Sequence, residues 1–129
     1  MPLTEHKTKS QHYYTDESGR YQGEFKTWYK NGQLRGHCFF KDGNFHGECK
    51  WWHSNGQLEY HCFYIDDRWH GECKRWHSDG KLALHSFDIE GKEVVDFLEN
   101  PELYPTTPEA KVFFALMYGA GELIPLTAT

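Results

Sequence analysis

The chain has 129 residues, enough for one domain. An aromatic share of 17% beside a charged share of 26% is not the composition of a disordered chain and suits a sheet, where flat rings pack on pleated faces. A net charge of −5 with no basic run argues against a nucleic-acid partner, whose phosphates need a cationic footprint, and weakens any case for anionic lipid.

Residues 1–11 are polar and read as a flexible N-terminal arm. They hold no apolar core segment of the kind a secretory signal needs, and no run in the chain approaches the ~18 apolar residues that span a bilayer. A cytoplasmic protein with four reduced cysteines is the matching expectation.

From about His12 a repeat is already running, so residues 12–22 form a half-unit. Three full units follow, opening at Gly23, Gly47 and Gly71, a period of 24 residues (47 − 23 = 71 − 47). Eight positions of the unit keep one residue throughout. In the second unit these are Gly47, Glu48, Lys50, Trp52, Gly56, Leu58, His61 and Phe63. Each unit carries two turn signals. Asn31-Gly32, Asn55-Gly56 and Asp79-Gly80 make one set; Asp42-Gly43, Asp66-Asp67 and Glu90-Gly91 make the other. Such pairs between aromatic, β-prone runs are strong hairpin signals. They predict an antiparallel meander with strands near 12–17, 21–30, 33–41, 44–54, 57–65, 68–78, 81–88 and 92–97. The array spans residues 12–97.

Two hairpin registers compete at the Asn-Gly turns. A two-residue loop pairs Lys30 with Gln33. One face then carries Phe25, Tyr29, Leu34, Cys38, Phe40, Phe45, Cys49, Trp51, His53, Leu58, Tyr60, Cys62, Tyr64 and Trp69. The other carries the repeated Glu, Lys, Trp, His and Phe. A three-residue loop with a glycine bulge scatters the apolar residues but gives Trp28 the partner Leu34. We take the two-residue loop, because one buried face is the commoner solution for an antiparallel sheet.

Beyond residue 97 the pattern stops at Asn100-Pro101 and Tyr104-Pro105. Thr107-Pro108-Glu109 reads as a helix start, with Thr as cap and Pro in the first turn. A helix near 107–118, ending at Gly119, would show Val112, Phe113, Leu116 and Met117 along one stripe. Residues 98–129 are thus expected to cap the open end of the array.

The pattern Gly-x-x-x-x-Trp-x-x-[Asn/Asp]-Gly-x-Leu resembles the MORN repeat, specifically its variant form. The matching residues are Gly23, Trp28, Gly32 and Leu34, then Gly47, Trp52, Gly56 and Leu58, then Gly71, Trp76, Gly80 and Leu82. The resemblance implies hairpins stacked into an extended antiparallel sheet that serves as a non-catalytic scaffold. Antitoxin-like labels in bacteria and similar arrays in large DNA viruses and phages go with it.

Three constellations invite chemistry. The cysteines lie on one face, with Cys49 opposite Cys62 and Cys38 and Cys73 diagonal to them. Three strand steps separate Cys38 from Cys73, roughly 14 Å, too far for one tetrahedral zinc. They are read as free thiols packed among rings, with Cys49–Cys62 the one pair placed to bridge; no metal or cofactor is expected. On the other face His37 is placed across from Glu48, His61 from Glu72 and His85 from Asp96, with Lys50 and Lys74 on their other sides. A motif repeated in every unit, with no nucleophile, reads as a polar ladder rather than an active site. The third constellation is the row Trp28, Trp52 and Trp76 beside Phe39, Phe63 and Phe87. Tryptophan on a face with a charged rim marks an interaction surface. The expected function is a non-enzymatic scaffold binding a protein partner, as an antitoxin or inhibitor, through Trp28, Trp52, Trp76, Phe63 and His61. Self-association through sheet edges or the aromatic face is a further option. The alternative is a metal-binding or membrane-lipid-binding module.

Overall fold

The computed structural model describes residues 2–117, with the side chains of residues 115–117 outside the description. Eleven strands form one antiparallel sheet. They are β1 (Thr4–Lys7), β2 (Gln11–Thr15), β3 (Gly23–Trp28), β4 (Leu34–Lys41), β5 (Asn44–Phe45) and β6 (Gly47–Trp52). Then come β7 (Leu58–Ile65), β8 (Arg68–Trp69), β9 (Gly71–Trp76), β10 (Leu82–Ile89) and β11 (Lys92–Asp96). The spatial order is β1-β2-β3-β4-β6-β7-β9-β10-β11, with β5 beside β4 and β8 beside β7. This is the expected mainly β meander of hairpins. Part of the expected N-terminal arm is in fact the edge strand β1, paired over Thr4↔Thr15 to Lys7↔His12.

Both competing loop registers occur, one after the other. At the turn, Gly32 N–H donates to the Tyr29 carbonyl and Tyr29 N–H to the Gln33 carbonyl, so the loop has three residues, with Gly32 at φ 87°. Trp28 therefore faces Leu34. Arg35 is then bulged out, and from Thr27↔Gly36 the pairing returns to the two-residue register. The second unit repeats this, with Trp52↔Leu58 and Trp51↔Tyr60. Two bulges offset each other, so the face assignment holds along the strands, while Leu34 and Leu58 move to the tryptophan side. The Asp-Gly type turns are true two-residue loops, with Asp42 at φ 51° and Asp66 and Asp67 at φ 50° and 67°, the left-handed pair of a type I′ turn.

Each unit joins the next after a second irregularity. Near the turn Phe40 pairs with Phe45, but further along His37 pairs with Lys50. His46 and Gly47 are extra residues between the two registers, and Gly47 takes φ 106°, a conformation that glycine adopts without strain. The shift places Cys38 directly opposite Cys49 and, by the same step one unit later, Cys62 opposite Cys73. Both pairs are disulfides with Cα atoms 4.2 Å apart. The expectation of free thiols, with Cys49–Cys62 as the only candidate bridge, is therefore corrected. Residues of an antiparallel strand alternate between close, non-hydrogen-bonded pairs near 4.5 Å and hydrogen-bonded pairs near 5.5 Å. Cys49 sits in a close pair with Cys38, so its N–H and C=O point to β7, and Cys49↔Cys62 is the wider pair. Both bridges accordingly cross the seams between units. Those seams are the shorter ladders, with two register pairs each against six within a hairpin.

The main apolar cluster lies at the C-terminal end: Phe87, Val95, Phe97 and Phe114, with Ile89 and Tyr104 against it. The helix α1 (Pro108–Met117) follows a 3-10 turn at Pro101–Leu103. Its start is as expected, since the Thr107 hydroxyl accepts from Ala110 N–H at 3.0 Å. Its packing side is not. Phe114 is buried, while Val112 and Phe113 of the expected stripe are exposed, Phe113 at 66%. Leu116, Met117 and Gly119 fall outside what is described of the side chains or the chain.

Candidate partner-binding face

The face opposite the cysteines carries one motif three times. Two of the histidines stand directly across from lysines on both neighbouring strands, His37 from Lys26 and Lys50 and His61 from Lys50 and Lys74, while His85 faces Lys74 on one side only. Each histidine Nε2 bonds the glutamate of its own hairpin, a diagonal neighbour. His37–Glu24 and His61–Glu48 are 2.8 Å, and His85–Glu72 is 2.6 Å. The expected pairings of His37 with Glu48 and His61 with Glu72 are thus replaced by bonds within each hairpin, because the His46–Gly47 step displaces the seam by two residues. The lysine stands 3.9, 4.0 and 3.7 Å from the same glutamate oxygen in the three copies. The first two histidines also lean on the phenylalanine two residues later, with ring centroids at 5.2 Å for His37–Phe39 and 5.3 Å for His61–Phe63.

The three copies share geometry and differ in cover. Glu24 and Glu48 side chains are 39% and 42% exposed, whereas Glu72 is at 1%. The cover is the chain's own C-terminal segment. The Tyr104 ring lies 4.9 Å from His85 and 5.1 Å from Phe97, and Lys74 Nζ stands 5.8 Å from its centroid. The Tyr104 hydroxyl donates to Glu72. Phe114 meets Phe87 edge-on at 4.9 Å.

The last strand makes this possible. A one-residue shift between Phe87 and Asp88 sets Val95 opposite Phe87 and Asp96 opposite Ser86. Phe97 N–H then donates to the His85 carbonyl. His85 thus meets Phe97, not Asp96 as expected, because a one-residue slip exchanges the two faces of a strand. The ladder ends in Val95 and Phe97 where the other seams supply a Glu and a Lys.

Burial sets the protonation of these groups. It holds the His61 imidazole below its ordinary value, with Glu48 opposing and Lys50 assisting. It likewise lowers the Lys74 ammonium against the pull of Glu72. Burial, then Glu72, pushes the Tyr104 phenol up. The site supplies hydrogen-bond acceptors, cations and rings, arranged as a repeating surface.

Trp28, Trp52 and Trp76, expected in the site, recur on this face, each half-buried opposite Leu34, Leu58 and Leu82. Phe63 and His61 adjoin each other further along β7. Glu48 and Lys50 were legible beside the histidines as a polar ladder, whereas Tyr104 and Phe114 as occupants of the third copy escaped sequence reasoning. The available signal was the apolar pair Val95 and Phe97 at the end of a charged ladder.

The MORN repeat variant model matches residues 21–42, 45–66 and 69–87, and the chain belongs to that family of repeat scaffolds. No curated protein matches it. Among solved structures, a crystal structure of TarM aligns over 90% of this chain at 14% identity and a TM-score of 0.37. A mutant S. aureus TarM in complex with Fondaparinux, alpha-GlcNAc-glycerol and UDP aligns at 13% identity with the same score. The chain spans about a quarter of the length of these two, 23% and 24%. Among the described residues no helix is long and apolar enough to cross a membrane.

Proposed function

We propose that this chain is a non-catalytic scaffold that binds a protein partner on the tryptophan, histidine and phenylalanine face of its first two units. One observation carries the reading: the third copy of the same surface is covered by a polypeptide segment, the chain's own, while the first two copies have the same internal geometry and leave their glutamate and lysine side chains 35–42% exposed. Trp52 and Phe63 lie half-buried at the centre of that area, with His61, 8% exposed, beside Phe63 and with Trp28 and Trp76 to either side. A scaffold of this kind inhibits when the partner's working surface is what it covers, which is the form an antitoxin-like role would take. All four cysteines are bridged, so they offer no thiolate to a metal while the bridges stand.

The test is capture from the native host with the wild-type chain, Trp52→Ala and Phe63→Ala, followed by mass spectrometry. Trp52 is half-buried on one cross-strand pair, so its replacement should cost about 1–2 kcal/mol of stability. The retained protein should bind the variants more weakly by ~2 kcal/mol, about 30-fold. Equal retention by all three chains refutes the proposed face.

A further inference from the structure

We infer that the Glu–Lys–His–Phe cluster of the second copy docks a partner segment anchored by a tyrosine, whose hydroxyl donates to Glu48 and whose ring lies over Lys50 beside Phe63. This rests on the binding face proposed above and states what that face takes. The third copy supplies the precedent. There Tyr104 gives its hydroxyl to Glu72 and its ring to Lys74 and His85. Glu48, Lys50, His61 and Phe63 repeat that set on one hairpin with the same His–Glu and Lys–Glu spacings to within a few tenths of an ångström.

The chemistry selects the side chain. A carboxylate covered by a partner loses water and needs a donor in its place. A phenol supplies one donor and, through its ring face, attracts the lysine beside it. A phenylalanine or leucine would leave the Glu48 oxygen short of a partner. An arginine would set a second cation against Lys50, and a phosphorylated tyrosine would set an anion against Glu48. The seam strands also matter. Where the third copy has Val95 and Phe97, the second is bordered by Glu72 and Lys74, already under Tyr104, so its occupant rests on polar contacts and Phe63 rather than on an apolar cluster. Successive copies lie two strand steps apart, roughly 10 Å, which leaves room for a ring beside Tyr104.

The probe is a synthetic peptide of residues 98–117, titrated into the full-length, isotope-labelled chain. Amide shifts should centre on Glu48 and His61. Glu48→Met in the chain, which removes the acceptor and keeps the length of the side chain, should weaken binding about 10-fold with the chain still folded, and a Tyr104→Phe peptide should lose the same factor on the wild-type chain. On the Glu48→Met chain the peptide change should cost nothing further, since both remove the same hydrogen bond. Absence of binding up to about 1 mM, shifts confined to His85 and Phe87, or affinities indifferent to either change overturn the inference. If those occur while a captured partner still depends on Trp52 and Phe63, only the tyrosine anchor falls; if the partner ignores both, the binding face falls with it.

Discussion

His61 stands between two strands and meets charge on both, Glu48 and Lys50 on β6 and Glu72 and Lys74 on β9. Burial disfavours its cation, so the folded ring takes a proton only below the ordinary histidine value near 6.5. The unfolded chain therefore binds more protons between the two values. The contribution of this group to stability is complete above about pH 6.5 and declines as pH falls through the depressed folded value. A His61→Gln chain should show a flatter fall in melting temperature over that window, and an NMR titration should place the His61 ring below 6.5. A ring titrating above 6.5 contradicts this account. Gly36 is a second residue with a local task. A Cβ there would stand 2.8 Å from the Trp51 ring, which lies across the glycine from the neighbouring strand. Gly36→Ala must displace that ring, at a cost of about 1–3 kcal/mol in a denaturant melt.

At the scale of elements, hairpins are the strong units and seams the weak ones. Side-chain clamps reinforce each seam. Tyr29 donates its hydroxyl to the Trp52 carbonyl at 2.6 Å, and His53 Nε2 donates to the Trp76 carbonyl at 2.9 Å, each reaching one unit forward. The covalent bridges Cys38–Cys49 and Cys62–Cys73 do the same on short loops of sequence separation 11. Removing one by Cys38→Ala with Cys49→Ala should lower stability by about 2–4 kcal/mol. Thiol titration of the unreduced, denatured chain should count none free. Four reactive thiols, and melting unchanged by reductant, would show that the seams hold without covalent help. The outer seams use other means: Tyr13 and Phe25 pack at 5.8 Å beside β2, and Phe87 of β10 faces Val95 of β11.

The whole molecule is a single sheet whose cluster of buried apolar side chains, among the described residues, is at one end, while a half-buried row of rings from Tyr13 to Tyr64 runs along the cysteine face. Phe114 connects the C-terminal helix to that cluster, and the helix covers a face rather than extending the edge beyond β11. Phe114→Ala should therefore cost about 3 kcal/mol and uncover Phe87 and the Glu72 ladder with it. Dye binding to the exposed surface and a lower melting temperature would register both effects. A variant that melts like the wild type would mean that the sheet is stable without its cover.

Much of this architecture was legible in the sequence because it is local. The 24-residue period, the Asn-Gly and Asp-Gly turns and the alternation of aromatic and polar residues dictate hairpins and their two faces. Thr107 and Pro108 mark the helix start for the same reason, since a cap acts within one turn of chain. The candidate site was legible as a set of recurring residues, including Trp52, His61 and Phe63, but not as a set of contacts. Which histidine meets which glutamate depends on His46 and Gly47, two residues whose backbone slips the seam without leaving a mark on the period. The same slip decides the cysteine partners, because it sets which pair falls at the close spacing. The last strand turns on a single residue: its shift brings Val95 and Phe97 to the ladder side, and with them Tyr104 and Phe114. Register between strands is a tertiary property, fixed by packing across the sheet, and one residue of slip exchanges what is buried for what is displayed.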